Sequence, residues 1–280
     1  MRSAAITGAG SGLGREIALG LAAKGYQVFG TALSTEEISE LDAASNGKVS
    51  LTVCDITNED AVQALALEVS EKLGKRIDLL ISNAGVLTPG PMEILPLSAV
   101  RREFEVNVFG ALSVINAFLP ALRKAQGRIV QISTMTAWLP LPFNGPSGAS
   151  KAAFEAFADV YRAELKPFGI DFVVAVAGNM KTGGPAKTAA ALKRTADSMT
   201  PEQRELYGRE FDAFTVALNQ MQDSGLEATA AAARVIELAE EMPAPSRGAV
   251  GQDSERILHL VKEKSDAELD VLRRQLVGLD

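Results

Sequence analysis

Two apolar periods alternate along the chain. Short runs rich in apolar residues fall at Ala4–Ile6, Tyr26–Thr31, Val49–Cys54, Ile77–Ser82, Gly127–Thr134 and Gly169–Ala175, with a last one at Arg247–Val250. Runs of that length predict strands, and the fully apolar ones predict strands buried on both faces of a parallel sheet. Between them apolar residues recur every three or four positions, as Leu13, Ile17 and Leu21 do in a helix expected over Gly12–Lys24. Further helices are expected over Asn58–Leu73, Ser98–Lys124, Gly148–Lys166, Pro201–Gln222, Leu226–Glu241, Asp253–Lys262 and Asp266–Leu276. Gly25 stands where a C-terminal cap belongs. Thr57 and Ser98 are candidate N-caps, with Asp60 in the first turn after Thr57. Pro120 should kink its helix or start the last turn.

This strand–helix alternation from residue 3 to about 175 argues for one α/β domain over 1–280. Residues 183–225 carry no strand signal. There Gly183-Gly184-Pro185 reads as a hinge, and Leu206, Phe211, Phe214 and Leu218 can cover a pocket, so the segment is expected to be a lid over an apolar, bulky substrate. Residues 252–280 are expected to form terminal helices. Phe154, Phe157, Ala158, Tyr161 and Leu165 make the apolar stripe of the helix at 148–166, a core or subunit-contact face.

The first strand runs into Thr7-Gly8-Ala9-Gly10-Ser11-Gly12-Leu13-Gly14. A strand, a glycine-rich turn and a helix N-terminus together make an anion site. Backbone N–H groups point outward, the helix dipole favours negative charge, and absent Cβ atoms let a pyrophosphate approach. The glycines are spaced T-G-x-x-x-G-x-G, not G-x-G-x-x-G.

Composition narrows the partners. The formal charge is −7 with no basic cluster, which argues against nucleic acid and against an anionic membrane surface. One cysteine, Cys54, rules out a disulfide framework, and one histidine, His259, rules out a multi-histidine metal cage, so no metal site is expected. No apolar run reaches the roughly 18 residues of a membrane span, and no leader precedes the first strand, so a cytoplasmic protein is expected.

Five motifs in order resemble those of the short-chain dehydrogenase/reductase family. They are the turn at Gly8, Gly12 and Gly14; Asp55 after the third strand; Asn83-Ala84-Gly85 after the fourth; Asn107 inside a helix; and Ala149-Ser150-Lys151. The resemblance implies a Rossmann-like fold, a doubly wound, mainly parallel seven-stranded sheet flanked by helices with strand order 3-2-1-4-5-6-7, and hydride transfer between nicotinamide and a carbonyl or alcohol. It implies a dinucleotide held by Gly8, Ser11, Gly12, Leu13 and Gly14, by Asp55 and Ile56 at the adenine, and by Asn83, Ala84, Gly85, Lys151 and Thr182. It also implies that Asn107 holds a water in a proton relay, that Thr134 polarises the carbonyl, and that copies pair as a homodimer or homotetramer through the helices at 98–124 and 148–166. The segment Ala177-Gly178-Asn179-Met180-Lys181-Thr182 resembles the family's P-G-x-V-x-T without its proline. At the end of the second strand, Leu33 stands where relatives reading T-A-R carry an arginine. No carboxylate stands there, which permits NADP as well as NAD, with a lean to NADP.

One departure changes the chemistry expected. Four residues before Lys151 the family places a tyrosine; here Ser147 stands. A phenol near pKa 10 can be pulled into the working range by a nearby ammonium, whereas an aliphatic hydroxyl is a far weaker acid and a shorter arm. Ser147 through a water, Lys151 through a water, or Tyr207 from the lid can replace it. Tyr161 lies roughly 15 Å along the helix from Lys151 and reads as structural. Three functions follow: an oxidoreductase with an atypical proton donor, a cofactor-binding protein without redox turnover, or a lyase or isomerase on the same fold.

Overall fold

The computed structural model describes residues 2–182 and 184–279. In chain order the elements are β1 (Ser3–Ile6), α1 (Gly12–Ala23), β2 (Gln27–Ala32), α2 (Thr35–Ser45), β3 (Val49–Val53), α3 (Glu59–Lys72), β4 (Leu79–Ser82) and α4 (Leu97–Phe104). A π-helical segment, Glu105–Gly110, joins α4 to α5 (Ala111–Ala125). Then come β5 (Arg128–Thr134), a 3₁₀ turn at Met135–Ala137, α6 (Gly145–Leu165), β6 (Asp171–Ala177), β7 (Met180–Lys181), α7 (Gly184–Ser198), α8 (Pro201–Asp223) and β8 (Leu226–Glu227). The chain ends with α9 (Ala228–Glu240), β9 (Arg247–Val250), α10 (Gln252–Glu263) and α11 (Asp266–Leu276).

The sheet has seven parallel strands in the order β3-β2-β1-β4-β5-β6-β9, as expected. β1 sits centrally, with Ala4 in register with Val28 on one side and Leu79 on the other. The chain winds outward from β1 to β3 and then returns to lay β4 on the other side of β1. That reversal opens a crevice at the carboxyl ends of β1 and β4, where doubly wound sheets bind ligands.

Successive residues of β1 feed two cores. Ala4 and Ile6 join Ile17, Leu21, Val28, Ile81, Val130 and Val235 beneath α1 and α9. Ala5 joins Leu80, Ile115, Phe118, Phe154 and Phe172 beneath α3, α5 and α6. Helices α1 and α9 meet closely at Gly20, where a Cβ would stand 2.7 Å from Ile236 Cδ1. A third cluster, Leu141, Leu192, Phe211, Phe214, Leu218 and Val277, packs α7 and α8 over the crevice side.

Several expectations need correction. The helix expected over 98–124 begins at Leu97, with Pro96 in the capping position, and its middle is π-helical. Pro120 lies inside α5 near its end, and the helix continues to Ala125. Leu97–Ala125 is, by length and composition, apolar enough to cross a membrane, contrary to the estimate from apolar runs. The chosen window is 61% buried within the fold, as a core helix requires. Asn58, not Thr57, caps α3, because its carboxamide accepts from Ala61 N at 3.1 Å while Thr57 donates to Asp55. Gly183 of the expected hinge lies outside the described residues, and 184–185 open α7. The helix expected from Leu226 starts at Ala228, because Leu226 pairs with Met180 in a two-stranded parallel ladder.

Candidate functional site

The turn after β1 is shaped by its glycines. Gly8 and Gly12 take φ of +64° and +57°, a region that L side chains disfavour. A Cβ on Gly14 would strike the Gly8 carbonyl and stand 2.5 Å from Asn83 Nδ2. Thr31 Oγ1 of β2 accepts from Gly8 N at 2.8 Å. From the other side, Asn83 Nδ2 donates to the carbonyls of Thr7 and Gly8, at 2.9 and 3.2 Å. Thr7 Oγ1 accepts from Asn83 N and Ala84 N. The ends of β1, β2 and β4 are thereby locked together.

Helix α1 then starts without a side-chain cap from Ser11 and without an acidic residue in its first turn. By contrast α2, α3 and α8 are capped by Ser34, Asn58 and Thr200. α4, α6, α9 and α10 also start without a side-chain cap, so it is the glycine geometry, not the missing cap, that makes the turn fit a pyrophosphate. Leu13 and Ile56 have buried side chains, so either can serve a nucleotide only through its backbone. Asp55 Oδ1 accepts from Thr57 N and Thr57 Oγ1, and those bonds, with Arg102 at 3.6 Å, hold its carboxyl below the ordinary range. Thr182 approaches Gly12: a Cβ there would lie 3.9 Å from Thr182 Cβ.

Asn107 and Lys151 meet over Gly85. A Cβ on Gly85 would stand 3.2 Å from Asn107 Oδ1 and 3.4 Å from Lys151 Nζ. Asn107 is buried and saturated: Oδ1 accepts from Val86 N at 2.9 Å, and Nδ2 donates to Val86 O at 2.9 Å and to Ser150 Oγ at 3.0 Å. Lys151 Nζ donates to Ile132 O of β5 at 2.9 Å, and burial pulls its pKa down to about 8 against the nearby carboxylates Glu103 and Glu155. A π-helical widening at Asn107 is a feature often found where a helix serves a site.

Ser147 is buried in the first turn of α6, one helical turn before Lys151. The helix lies close on the end of β5, since a Cβ on Gly148 would come 2.8 Å from Thr136 O. Thr134 caps the 3₁₀ turn there, its Oγ1 accepting from Thr136 N and Thr136 Oγ1. Asn144, at the N-terminus of α6, has a buried Oδ1 without a partner among the described residues. Tyr161 is structural: it donates to Asn116 Oδ1 at 2.7 Å and stacks on Phe172. Tyr207 is held by Glu93, to whose Oε2 it donates, next to Met92, whose sulfur would lie 2.6 Å from a Cβ on Gly145.

Three further residues belong to the site and went unread in the sequence. Glu103, fully buried on α4, accepts from Thr88 N at 2.8 Å. Glu37 Oε2 accepts from Leu33 N at 2.9 Å, and a Cβ on Gly10 would collide with it, so a carboxylate does stand at the end of β2. Lys187 Nζ of α7 donates to Ser11 Oγ at 3.4 Å, linking α7 to the glycine turn. An acidic residue in a buried stripe was the only available signal for Glu103; the other two depend on long-range or turn geometry.

Residues 2–193 match the family model described as short chain dehydrogenase. The chain belongs to the short-chain dehydrogenase/reductase family. It is 31% identical over 245 residues to the NADPH-dependent 3-dehydrocapnine reductase of Ornithobacterium rhinotracheale, covering 85% of this chain and 83% of that protein. It is 33% identical over 213 residues to the estradiol 17-beta-dehydrogenase 2 of Rattus norvegicus, but there it covers 74% of this chain and only 56% of the relative. A short chain dehydrogenase from Burkholderia cenocepacia, solved in complex with NADP, superposes with a TM-score of 0.74 at 25% identity, covering 99% of both chains.

Beside the short-chain dehydrogenase/reductase motifs lies a cavity of about 1060 Å³ lined by Met135, Thr136, Leu139, Leu141, Met221 and Ile257, among others. It borders the site rather than enclosing Lys151, and its connection is Thr136, whose hydroxyl donates to Thr134.

Proposed function

We propose that this chain interconverts a carbonyl and an alcohol with NADP(H), and that the proton reaches the substrate oxygen through Ser147 and a water instead of a phenol. The convergence of Lys151 Nζ and Asn107 Oδ1 over Gly85, beside an uncapped glycine turn, carries this reading. The relatives named above as NADPH-dependent or NADP-bound support the choice of cofactor. When bound, the nicotinamide supplies or accepts the hydride.

The protein's own residues do the rest. Gly8, Ser11, Gly12, Leu13 and Gly14 would hold the pyrophosphate, Asp55 and Ile56 the adenine end, and Asn83, Ala84, Gly85, Lys151 and Thr182 the nicotinamide half. Thr134 would donate to the substrate carbonyl, where charge develops. Ser147 is too short to reach as a phenol would, and the partnerless Oδ1 of Asn144 in the same turn requires a donor, which a water satisfies while bridging onward. The apolar cavity beside Thr136 supports a bulky, apolar substrate. Phe109, Phe157 and Val160 are exposed on the π-helical segment and α6, supporting pairing of copies on that face; sedimentation at a dimer or tetramer mass tests it.

A second reading is favoured by Ser147 itself: a protein that binds the nucleotide without turning it over. Calorimetry with NADPH and NADH, followed by a panel of ketones and aldehydes, separates the two. Binding with nucleotide oxidation supports the enzyme. Binding without oxidation across the panel supports the binding protein, and no heat with either nucleotide overturns both.

A further inference from the structure

Glu103 is a fully buried carboxyl to which the reading above gives no task. It lies on α4, four residues before Asn107, so the two side chains share a helix face. Glu103 Oε2 accepts from Thr88 N at 2.8 Å, and Oε1 accepts from Asn107 Nδ2 at 3.4 Å. The same Asn107 nitrogen donates to Ser150 Oγ, and Ser150 Oγ donates to Ser147 O at 3.1 Å. One carboxamide therefore joins a buried carboxyl to the helical turn that carries Ser147 and Lys151, the turn from which the phenol is missing.

We propose that Glu103 is a positioning residue that orients Asn107 and keeps Lys151 charged. This rests on the oxidoreductase reading of the site. The proton balance is closed. As the new O–H bond of the alcohol forms by way of Ser147 and a water, an N–H bond of the Lys151 ammonium breaks. The neutral amine is then reprotonated from solvent. One proton is drawn from solvent for each carbonyl reduced, as the reaction demands.

The charges around the pair suit this role. Glu103 faces Lys151 of α6; Lys151 faces Glu103 and Glu155 of its own helix. Glu155 is already engaged by Ser133, Trp138 and Arg247, whereas Glu103 meets only neutral donors. Burial pushes Glu103 up to about 7 and pulls Lys151 down to about 8, each opposed by the other's charge, so removing the Glu103 charge lowers Lys151 further.

The test uses the full chain, labelled with carbon-13 at lysine Cε and without nucleotide or substrate, the Lys151 signal being assigned by its loss in Lys151→Met. Glu103→Gln keeps an acceptor for Thr88 N but removes the charge. The Lys151 midpoint should fall by roughly one pH unit in Glu103→Gln and recover in Glu103→Asp. An unchanged midpoint in Glu103→Gln overturns the proposal. If Glu103→Gln does not fold, Lys151→Met supplies the reciprocal measurement: the Glu103 carboxyl midpoint should rise, and a midpoint that stays in place is equally fatal. With a carbonyl substrate in hand, the alkaline limb of kcat for reduction should move to lower pH in Glu103→Gln. A uniform loss at every pH would mean that Glu103 only anchors the Thr88 loop. Because the titrations need no nucleotide, their failure is distinct from failure of the oxidoreductase reading, which calorimetry decides.

Discussion

Gly14 packs against Gly8 so closely that the first residue cannot carry a side chain: its Cβ would strike the carbonyl oxygen of the second. The contact brings the start of α1 onto the end of β1 and sets where the first-turn N–H groups point. Gly14→Ala should therefore cost about 1–3 kcal/mol of stability through overpacking and displace the turn. Nucleotide affinity should fall by about ten-fold or more, since 1.4 kcal/mol is one decade. Urea unfolding and calorimetry on the same variant check both effects; unchanged binding would mean that the turn does not hold the pyrophosphate.

Ser147→Tyr restores the phenol one turn before Lys151. General acid–base help is worth about 10²–10⁴ in rate, so kcat for carbonyl reduction should rise by roughly 10² even with imperfect placement of the ring. Steady-state assays at matched nucleotide saturation measure it. A variant that folds, binds nucleotide and gains nothing would show that the proton path does not run through this position.

The sheet was legible because a parallel strand buried on both faces is rich in apolar residues, as in β1 and β4, where every residue is buried, while edge strands such as β3 were placed by their position between helices. The order of motifs then placed Asn83, Asn107 and Lys151 on one edge. What escaped has physical causes. Within α2 only Leu41 and Ser45 are buried, so Thr35–Ser45 shows no apolar stripe. Alanine-rich α7 places one large apolar side chain, Leu192, in the core. The π-helical segment is six residues long, too short for a shift in period to show. Glu103 breaks the rule that charges face water, and only the packed structure shows what it touches. Lys187 and Ser11 lie 176 positions apart, and no local pattern connects them.

The Glu103–Lys151 pair gives stability a dependence on pH whose sign is fixed. Glu103 titrates at about 7 in the folded chain, above its ordinary 4.5, so between those values the native state binds more protons than the unfolded one. Stability from this group therefore falls as pH rises from about 4.5 to about 7. Lys151 is shifted the other way, from 10.5 to about 8, so the native state binds fewer protons across that window and stability rises from about 8 to about 10.5. The first limb is worth on the order of 2–3 kcal/mol, and Glu103→Gln should flatten it. Urea titrations at pH 5 and pH 7.5 on both proteins measure the difference; parallel curves would contradict it.

Glu37 tempers the choice of nucleotide. Its carboxylate accepts from Leu33 N and crowds Gly10 at the end of β2, where the ribose is met in this family. A carboxylate there suits a 2′-hydroxyl and repels a 2′-phosphate. NADPH and NADH are therefore expected to bind within about ten-fold of each other, and Glu37→Gln should tighten NADPH by about ten-fold, with little change for NADH. Calorimetry with both nucleotides on both proteins measures the ratio. A wild-type preference for NADPH beyond a hundred-fold, unmoved by Glu37→Gln, would place the carboxylate outside the selection.

Lys187 ties α7 to the phosphate turn. Its Nζ donates to Ser11 Oγ at 3.4 Å, at the N-terminus of a helix whose first turn carries no acidic residue. A pyrophosphate bound there would gain an ammonium from the lid, so nucleotide binding and lid position should be coupled. Lys187→Ala is expected to weaken NADPH by about ten-fold at low salt and by less at 0.5 M salt, because an exposed charge pair is screened over a Debye length of roughly 10 Å at 0.1 M. Protease cleavage within residues 184–225 should be slowed by NADPH in the parent chain and not in the variant. Equal protection in both would show that the nucleotide does not hold the lid through Lys187.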